Sequence, residues 1–335
     1  MKTTIIRTST IRTGLAALAF AVCALVVFAL AGAQAEVYPS RPITIIAPTT
    51  AGGPPDTIAR LLSDRMRAVL GQPVVVENVT GAGSTIGVAR VARAAPDGYT
   101  VGIGHLNSHV FSSLTYNVSY DVLKDLAPVV MLTSAPMLFA ARAGFPPNNV
   151  RELIAWLKEH PSSATMGAVG VGGPATIWSA DFKARNGVQF QLVPYRGAAA
   201  VMQDAVAGQI DLVCTEASNV LPHWRAGKVK VYAVLAKDRW AVAPDISTID
   251  ESLGFAMTFW HGLWVPKDTP KDVIAKLNAA AMDALTDPTV RARLAQMGQE
   301  IVPREQQTPE ALGAYHKAEI EKWLPIIKAA GIKAE

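Results

Sequence analysis

The sequence predicts an α/β chain folded as two lobes joined by two crossing segments. Short apolar runs alternate with helical patterns almost from end to end, and most of those runs are continuously apolar. The rhythm also breaks at two extended stretches. Continuous apolarity marks strands covered on both faces by helices, and a β-α-β order argues for parallel or mixed sheets. The expected strands are ITIIAP (43–48), PVVVEN (73–78), YTVGIG (99–104), PVVMLT (128–133), PMLFAAR (136–142), VQFQLVPY (188–195), QIDLVC (209–214) and KVYAVLA (230–236). The stretch 128–142 reads as two extended pieces joined near Ser134-Ala135-Pro136, and MTFWHGLWVP (257–266) as a second crossing. One lobe is therefore expected from 36–140 with 256–335, and the other from 141–255, with a cleft between them.

Residues 1–35 stand apart from the fold. Lys2, Arg7 and Arg12 precede an apolar run from Leu15 to Leu30 that ends in Ala33-Gln34-Ala35, the pattern of a cleaved export signal. Cleavage puts the mature start at Glu36. It leaves 28 Lys and Arg against 27 Asp and Glu, so the net charge falls from +4 to +1. Basicity is then a targeting feature and not a nucleic-acid footprint. Of the two cysteines only Cys214 remains, which rules out an internal disulfide and reads as a small buried hydrophobe.

After the first strand comes TTAGGPPDTIAR, Thr49 to Arg60. A glycine-rich turn entering a helix offers unpaired amides and the positive end of the helix dipole to an anion. Pro54 and Pro55 carry no N–H, so the expected donors are Gly52, Gly53, Asp56 and Thr57, helped by the Thr49 and Thr50 hydroxyls. Asp56 is expected to cap the helix, whose apolar face is Ile58, Leu62, Met66 and Val69 and whose stop is Gly71. The P-loop lysine and spacing are absent. GAGSTIG (81–87) spaces its last glycine one residue too far for a dinucleotide fingerprint and reads as a loop entering a helix.

His105 and His109 have i, i+4 spacing, but no nearby carboxylate completes a metal site and the pair is placed on a loop. Asn107 and Ser108 follow a parallel strand, where open α/β sheets place ligand contacts. Two further turns of small residues, GAVGVGGPAT (167–176) and YRGAAA (195–200), again lead into helices. Glu216 is the one acceptor placed for a ligand ammonium group, although an exposed acid is the commoner role. Trp178, Phe111 and Trp260 would suit an aromatic wall but equally a core. Towards the C-terminus, Thr269-Pro270 and Thr308-Pro309 read as helix starts and Pro325 as a kink or break in the last helix. No G-x-S-x-G or zinc-protease motif occurs, so no catalytic residue, cofactor or metal is assigned.

Taken in order, YPSRPITIIAP, AGGPPDTIAR, LGQPVVVENVTGAGSTIG, APDGYT, VPYRGAAAVMQDAVAGQIDL, LPHWRAGKVKVYAV and WHGLWVPKDTP resemble the Bug (TctC-like) receptors, the periplasmic solute-binding components of tripartite tricarboxylate transporters. The resemblance spans essentially the whole mature chain. It implies the two-lobed type II periplasmic-binding-protein fold, a Venus flytrap closing on its ligand. Carried onto this chain, the implied ligand contacts are Thr49, Thr50, Ala51, Gly52, Gly53, Asp56, Thr57, Asn107, Ser108, Gly170, Gly173, Thr176, Gly197, Ala198 and Ala199. Thr49-Thr50-Ala51 departs from the family's more usual Phe-Pro-Pro in that turn, and Gly173 and Thr176 replace serine and histidine, so the ligand is expected to differ from that of better-known members.

The expected function is capture of a small carboxylate, a di- or tricarboxylate or an aromatic one, and delivery to a two-component membrane permease. The expected protein is a periplasmic monomer with no cofactor and no nucleic-acid partner. The alternatives are a receptor feeding a sensor kinase and a secreted hydrolase.

Overall fold

The structure is a computed structural model that describes residues 37–249 and 253–333, so the expected export signal at 1–35 lies outside the described residues. The strands are β1 (Ile43–Ala47), β2 (Val74–Asn78), β3 (Thr100–His105), β4 (Leu126–Arg142), β5 (Thr165–Val169), β6 (Gln191–Tyr195), β7 (Leu212–Glu216), β8 (Val229–Val234), β9 (Thr258–Pro266) and β10 (Glu300–Ile301). Their order is β2-β1-β3-β9-β4-β7-β5-β6, with β8 and β10 also on β4. β1 runs parallel to β2 and β3, and β5 runs parallel to β6 and β7. β9 is antiparallel to β3 and to β4. The sheet is mixed, as the buried apolar strands led us to expect.

β4 is one strand of 17 residues where two pieces were expected. From Leu126 to Pro136 it pairs with β9, and from Met137 to Arg142 with β7 and β8. Pro136, which has no N–H to give, stands where the β9 ladder ends and the β7 ladder begins. We call β1, β2, β3, β9 and the first part of β4 the first half, and β5 to β8 with the rest of β4 the second half. Three other expectations need correction. β5 was not foreseen, because Gly167 read as part of a turn; β6 starts three residues later than expected, and β7 is shifted toward the C-terminus to end at Glu216.

The helices are α1 (Pro54–Leu70), α2 (Thr85–Ala92), α3 (Ser112–Thr115), α4 (Val150–Glu159), α5 (Pro174–Asn186), α6 (Ala198–Ala207), α7 (Ala217–Arg225), α8 (Lys271–Thr286), α9 (Pro288–Gln296) and α10 (Pro309–Ala329). In α1, Ile58, Leu62 and Met66 are fully buried while Val69 is exposed, and Gly71 ends the helix in the left-handed region at φ 69°. Thr308 caps α10 by accepting the Ala311 N–H, with Pro309 in the first turn. Thr269 does not cap α8; its hydroxyl donates to the Pro266 carbonyl, and Pro270 takes the cap position. Pro325 neither breaks nor ends α10, because it lies on the exposed face, where the carbonyl it leaves unpaired meets water. No helix among the described residues is long and apolar enough to cross a membrane.

The main core runs through both halves. Phe139 on β4 packs against Trp178, Phe182 and Tyr232, with ring centroids 4.7, 5.4 and 5.7 Å away. Trp178, Phe111 and Trp260 are all completely buried, which settles them as core. α10 packs on the first half: Trp323 meets Phe111 edge-on at 5.1 Å, and His316 Nε2 donates to the His109 carbonyl at 2.8 Å.

Candidate functional site

The C-terminal ends of β1, β2 and β3 and those of β5, β6 and β7 look onto one cavity of about 890 Å³. This is where open α/β sheets hold ligands. The halves meet over it. A methyl placed on Gly197 would lie 3.0 Å from Thr50 Oγ1, and one on Gly170 would lie 3.6 Å from the Tyr116 hydroxyl.

Of the residues expected to contact ligand, Thr49, Thr50, Gly53, Asn107, Gly170, Gly197, Ala198 and Ala199 line this cavity. Ala51, Gly52, Asp56, Thr57, Ser108, Gly173 and Thr176 do not. Their hydrogen bonds explain why. The buried Asp56 carboxylate accepts from the Gly52 N–H at 2.8 Å, from Arg60 Nε at 3.0 Å and from Asn78 Nδ2 at 2.9 Å. Burial alone would raise its pKa, but these donors outweigh it and hold the carboxyl below the usual range. Asp56 thus braces the turn from inside α1, reaching back to Gly52, whereas Gly53 holds the cap position with no side chain to cap with. The Gly53 N–H donates to the Thr50 carbonyl and the Thr57 N–H to the Gly53 carbonyl. Three of the four amides expected to grip an anion are therefore spent on the turn itself. What the turn offers the cavity is hydroxyl chemistry, and Thr49 Oγ1 is buried without a protein partner.

His105 and His109 are not on a loop. His105 ends β3, and Asn107 to Phe111 form a single π-helical turn, all of it buried. Ser108 is fully buried and braces that turn, its hydroxyl bonded to His109 Nδ1 at 2.9 Å. His105 Nδ1 accepts the Asn107 and Ser108 N–H groups at 3.1 and 3.4 Å. The ring proton therefore sits on Nε2, which has no partner in the protein. Burial lowers the His105 pKa to about 3, so the ring is neutral. Asn107 donates Nδ2 to the Gly83 carbonyl at 3.4 Å, leaving Oδ1 buried and unpartnered.

The second half is richer in donors. Pro174 and Ala175 at the start of α5, and Ala198 and Ala199 at the start of α6, line the cavity; Pro174 has no N–H to give, but the first-turn amides of Ala175, Ala198 and Ala199 have no partner within their helix. Arg196 adds a cation to this wall. Gly173 stays off the wall because its backbone is pressed against β5; a methyl there would strike the Val169 carbonyl at 2.1 Å. The Thr176 hydroxyl donates to the Gly170 carbonyl at 3.4 Å.

Several wall residues escaped the sequence reading. Thr80 to Ser84, Tyr116, Phe259, His105 and Cys214 all line the cavity. GAGST was assigned only as a loop into a helix, which it is, and its position at the end of a strand was the signal for a wall role. Phe259, not its neighbour Trp260, joins Tyr116 and Tyr195 as the aromatic surface of the wall. Cys214 is buried, and burial pushes its thiol well above its usual pKa. Glu216 overturns the expectation of an exposed acid: it is 3 % exposed and lines the cavity floor. Among the described residues no cluster of three or more His, Cys, Asp or Glu is arranged to hold a metal.

Two strand groups turning their helix N-termini onto one cavity define a periplasmic-binding-protein fold and the class of solute-binding receptors. The family described as the tripartite tricarboxylate transporter family receptor matches residues 58–332, and the chain belongs to it. A UPF0065 protein from the TAR-I ttuE-ttuC' intergenic region of Agrobacterium vitis is 39% identical over 302 residues, covering 89% of this chain and 87% of that one. The solved periplasmic binding protein BugD is 38% identical with a TM-score of 0.82, covering 89% of this chain and all of its own. MatC of Rhodopseudomonas palustris, solved with bound malate, is 37% identical with a TM-score of 0.82 and is covered in full by 87% of this chain.

Proposed function

We propose that this protein captures a small carboxylate in the cavity and delivers it to a two-component membrane permease of the tripartite type. Residues 36–140 with 256–335 act as one lobe and 141–255 as the other. The cavity joins them, so a ligand touching both walls favours the closed arrangement by its differential affinity. The observation that carries the reading is the second wall, where the first-turn amides of Ala175, Ala198 and Ala199 and the cationic Arg196 line one cavity. That chemistry suits a carboxylate, and MatC's malate places a dicarboxylate in a relative of the same fold. The first wall adds the Thr49 and Thr50 hydroxyls, Asn107 and the His105 ring.

A thermal-shift screen over di-, tri- and aromatic carboxylates tests this. A ligand at a hundredfold excess over its Kd adds about 2.7 kcal/mol of stability, a shift of roughly 5 °C for a chain of this size. The reading fails if no carboxylate shifts the melting temperature. Co-purification of the permease subunits with the ligand-loaded protein tests delivery; capture only by a sensor kinase would reassign the partner.

A further inference from the structure

The floor of the cavity holds a carboxyl group without a cation. Glu216 ends β7 just before α7 and belongs to the second half, while the groups that meet it come from elsewhere. Gln299, between α9 and β10, donates its Nε2 to Glu216 Oε1. His261 on β9 brings Nε2 to 3.7 Å from Glu216 Oε2, beyond hydrogen-bond reach. His261 Nδ1 meets the Thr133 hydroxyl at 3.3 Å, and the His105 ring lies 6.1 Å behind it. On its own strand Glu216 has the Cys214 thiol, across the sheet it pairs with Met137 of β4, and from α7 it has the Ser218 hydroxyl, which with Gln299 favours the ionised carboxyl against the larger effect of burial, and Asn219 on the same wall. Burial keeps both His105 and His261 uncharged and the Cys214 thiol protonated. Arg196, after β6, is the one arginine on the cavity wall, and no lysine or arginine forms an ion pair with Glu216 among the described residues.

An anion entering this cavity therefore meets a second acid with no compensating positive charge beside it. A second negative charge brought up to a buried carboxylate is repelled strongly, and the cheaper outcome is for one of the two to take a proton. We propose that ligand capture is coupled to protonation of Glu216, so that the protein binds its carboxylate together with one proton. The proton comes from solvent and is released when the ligand leaves; no bond is made or broken beyond the O–H of the carboxyl group. The free protein is poised for this, because burial raises Glu216 to about 7. By linkage, an anion that raises the proton affinity of Glu216 is itself bound more tightly when Glu216 is protonated. This rests on the carboxylate-receptor reading and adds its regulation.

Isothermal titration of the protein with malate and with adipate, at pH 6.0, 7.0 and 8.5 in two buffers of different ionisation enthalpy, is the test. Both probes are predominantly dianions at pH 6.0 and wholly so at the higher values, and their own ionisation is subtracted from the measured proton balance. For the wild type, Kd should rise about tenfold from pH 6.0 to 8.5, and the buffer dependence should show net proton uptake on binding near pH 7.5. Glu216→Gln should bind as tightly at pH 8.5 as at 6.0, without uptake. A wild-type Kd that is flat with pH and carries no proton uptake would overturn the coupling while leaving the receptor reading intact. Absence of heat with both probes at every pH, together with no thermal shift from any carboxylate of the screen, would overturn the receptor reading and the coupling with it. The uptake measurement needs only the wild type, so it decides the matter even if the variant folds poorly.

Discussion

Thr50 and Gly197 face each other across the mouth of the cavity, so close that a methyl group on Gly197 would stand 3.0 Å from Thr50 Oγ1. Gly197 is extended, at φ −168°, so any residue could adopt its backbone conformation and only the opposite wall forbids a side chain. Gly197→Val should therefore hold the halves apart. The unliganded protein should melt within a degree or two of the wild type, while carboxylate Kd weakens by more than about tenfold, an effect of roughly 1.4 kcal/mol on closure. Calorimetric titration beside a melting curve checks both parts; equal affinity would mean that closure does not bring these two residues together.

Gly53 occupies the cap position of α1 without a capping side chain. Aspartate is among the best residues at such a position, so Gly53→Asp should preserve or slightly raise the melting temperature. The same substitution puts a negative charge on the cavity wall, next to the Asp56 carboxylate, and should abolish carboxylate binding. Unchanged affinity in a titration would remove this turn from the site.

Four buried histidines set the acid limit of the fold. His105 is lowered to about 3 and His316 to about 4, in both cases chiefly by burial, and His109 and His261 lie well below the ordinary value for the same reason. Below pH 6.5 the unfolded chain takes up these protons and the folded one does not, so stability falls as pH falls. At full effect the loss is about 1.4 kcal/mol per histidine per pH unit, or roughly 5 kcal/mol per unit for the set. Against a typical stability of about 5–15 kcal/mol, unfolding should set in between about pH 4 and 5.5. Far-ultraviolet circular dichroism across that range reads it; a fold intact at pH 3.5 would show that these rings do protonate in place.

Glu216 acts with the opposite sign. Its folded pKa of about 7 lies above the 4.5 of an unperturbed glutamate, so the acid costs stability as pH rises through that window. The cost reaches about 3 kcal/mol by pH 8. Glu216→Gln should accordingly gain about that much more stability, relative to the wild type, at pH 8 than at pH 5. Urea unfolding of both proteins at the two pH values measures the difference, and a gain equal at both would show that the carboxyl is already fully ionised at pH 5.

The sequence disclosed the strands that are wholly buried and the turns that end them. It did not disclose β5, whose five residues include a glycine that resembles a turn, or that Pro136 lies inside a strand, since only the change of neighbour from β9 to β7 leaves its missing N–H harmless. Eight of the residues named for the site do line the cavity. Those that do not were lost to hydrogen bonding between side chain and backbone within the same turn, as with Asp56 and Gly52, which spacing cannot reveal. Phe259, which was overlooked, and Glu216, which was weighed against an exposed acid, come from strands of opposite halves brought together by β4, a pairing of distant segments that no local pattern encodes.

β4 lends one end to each half, and that has a consequence for taking the molecule apart. A fragment ending near residue 136 would keep β1 to β3 and the first part of β4 but lose β9, which pairs with both β3 and β4, while the fragment beginning there would keep β7 and β8 on the rest of β4 and leave β9 and β10 without their β4 partner. The first half cannot be cut out as one piece, because its β9 follows the second half in the chain. Splitting or circularly permuting this chain for use as a reporter should therefore succeed at surface turns such as the one around Gly227 and fail along β4, however well each piece expresses.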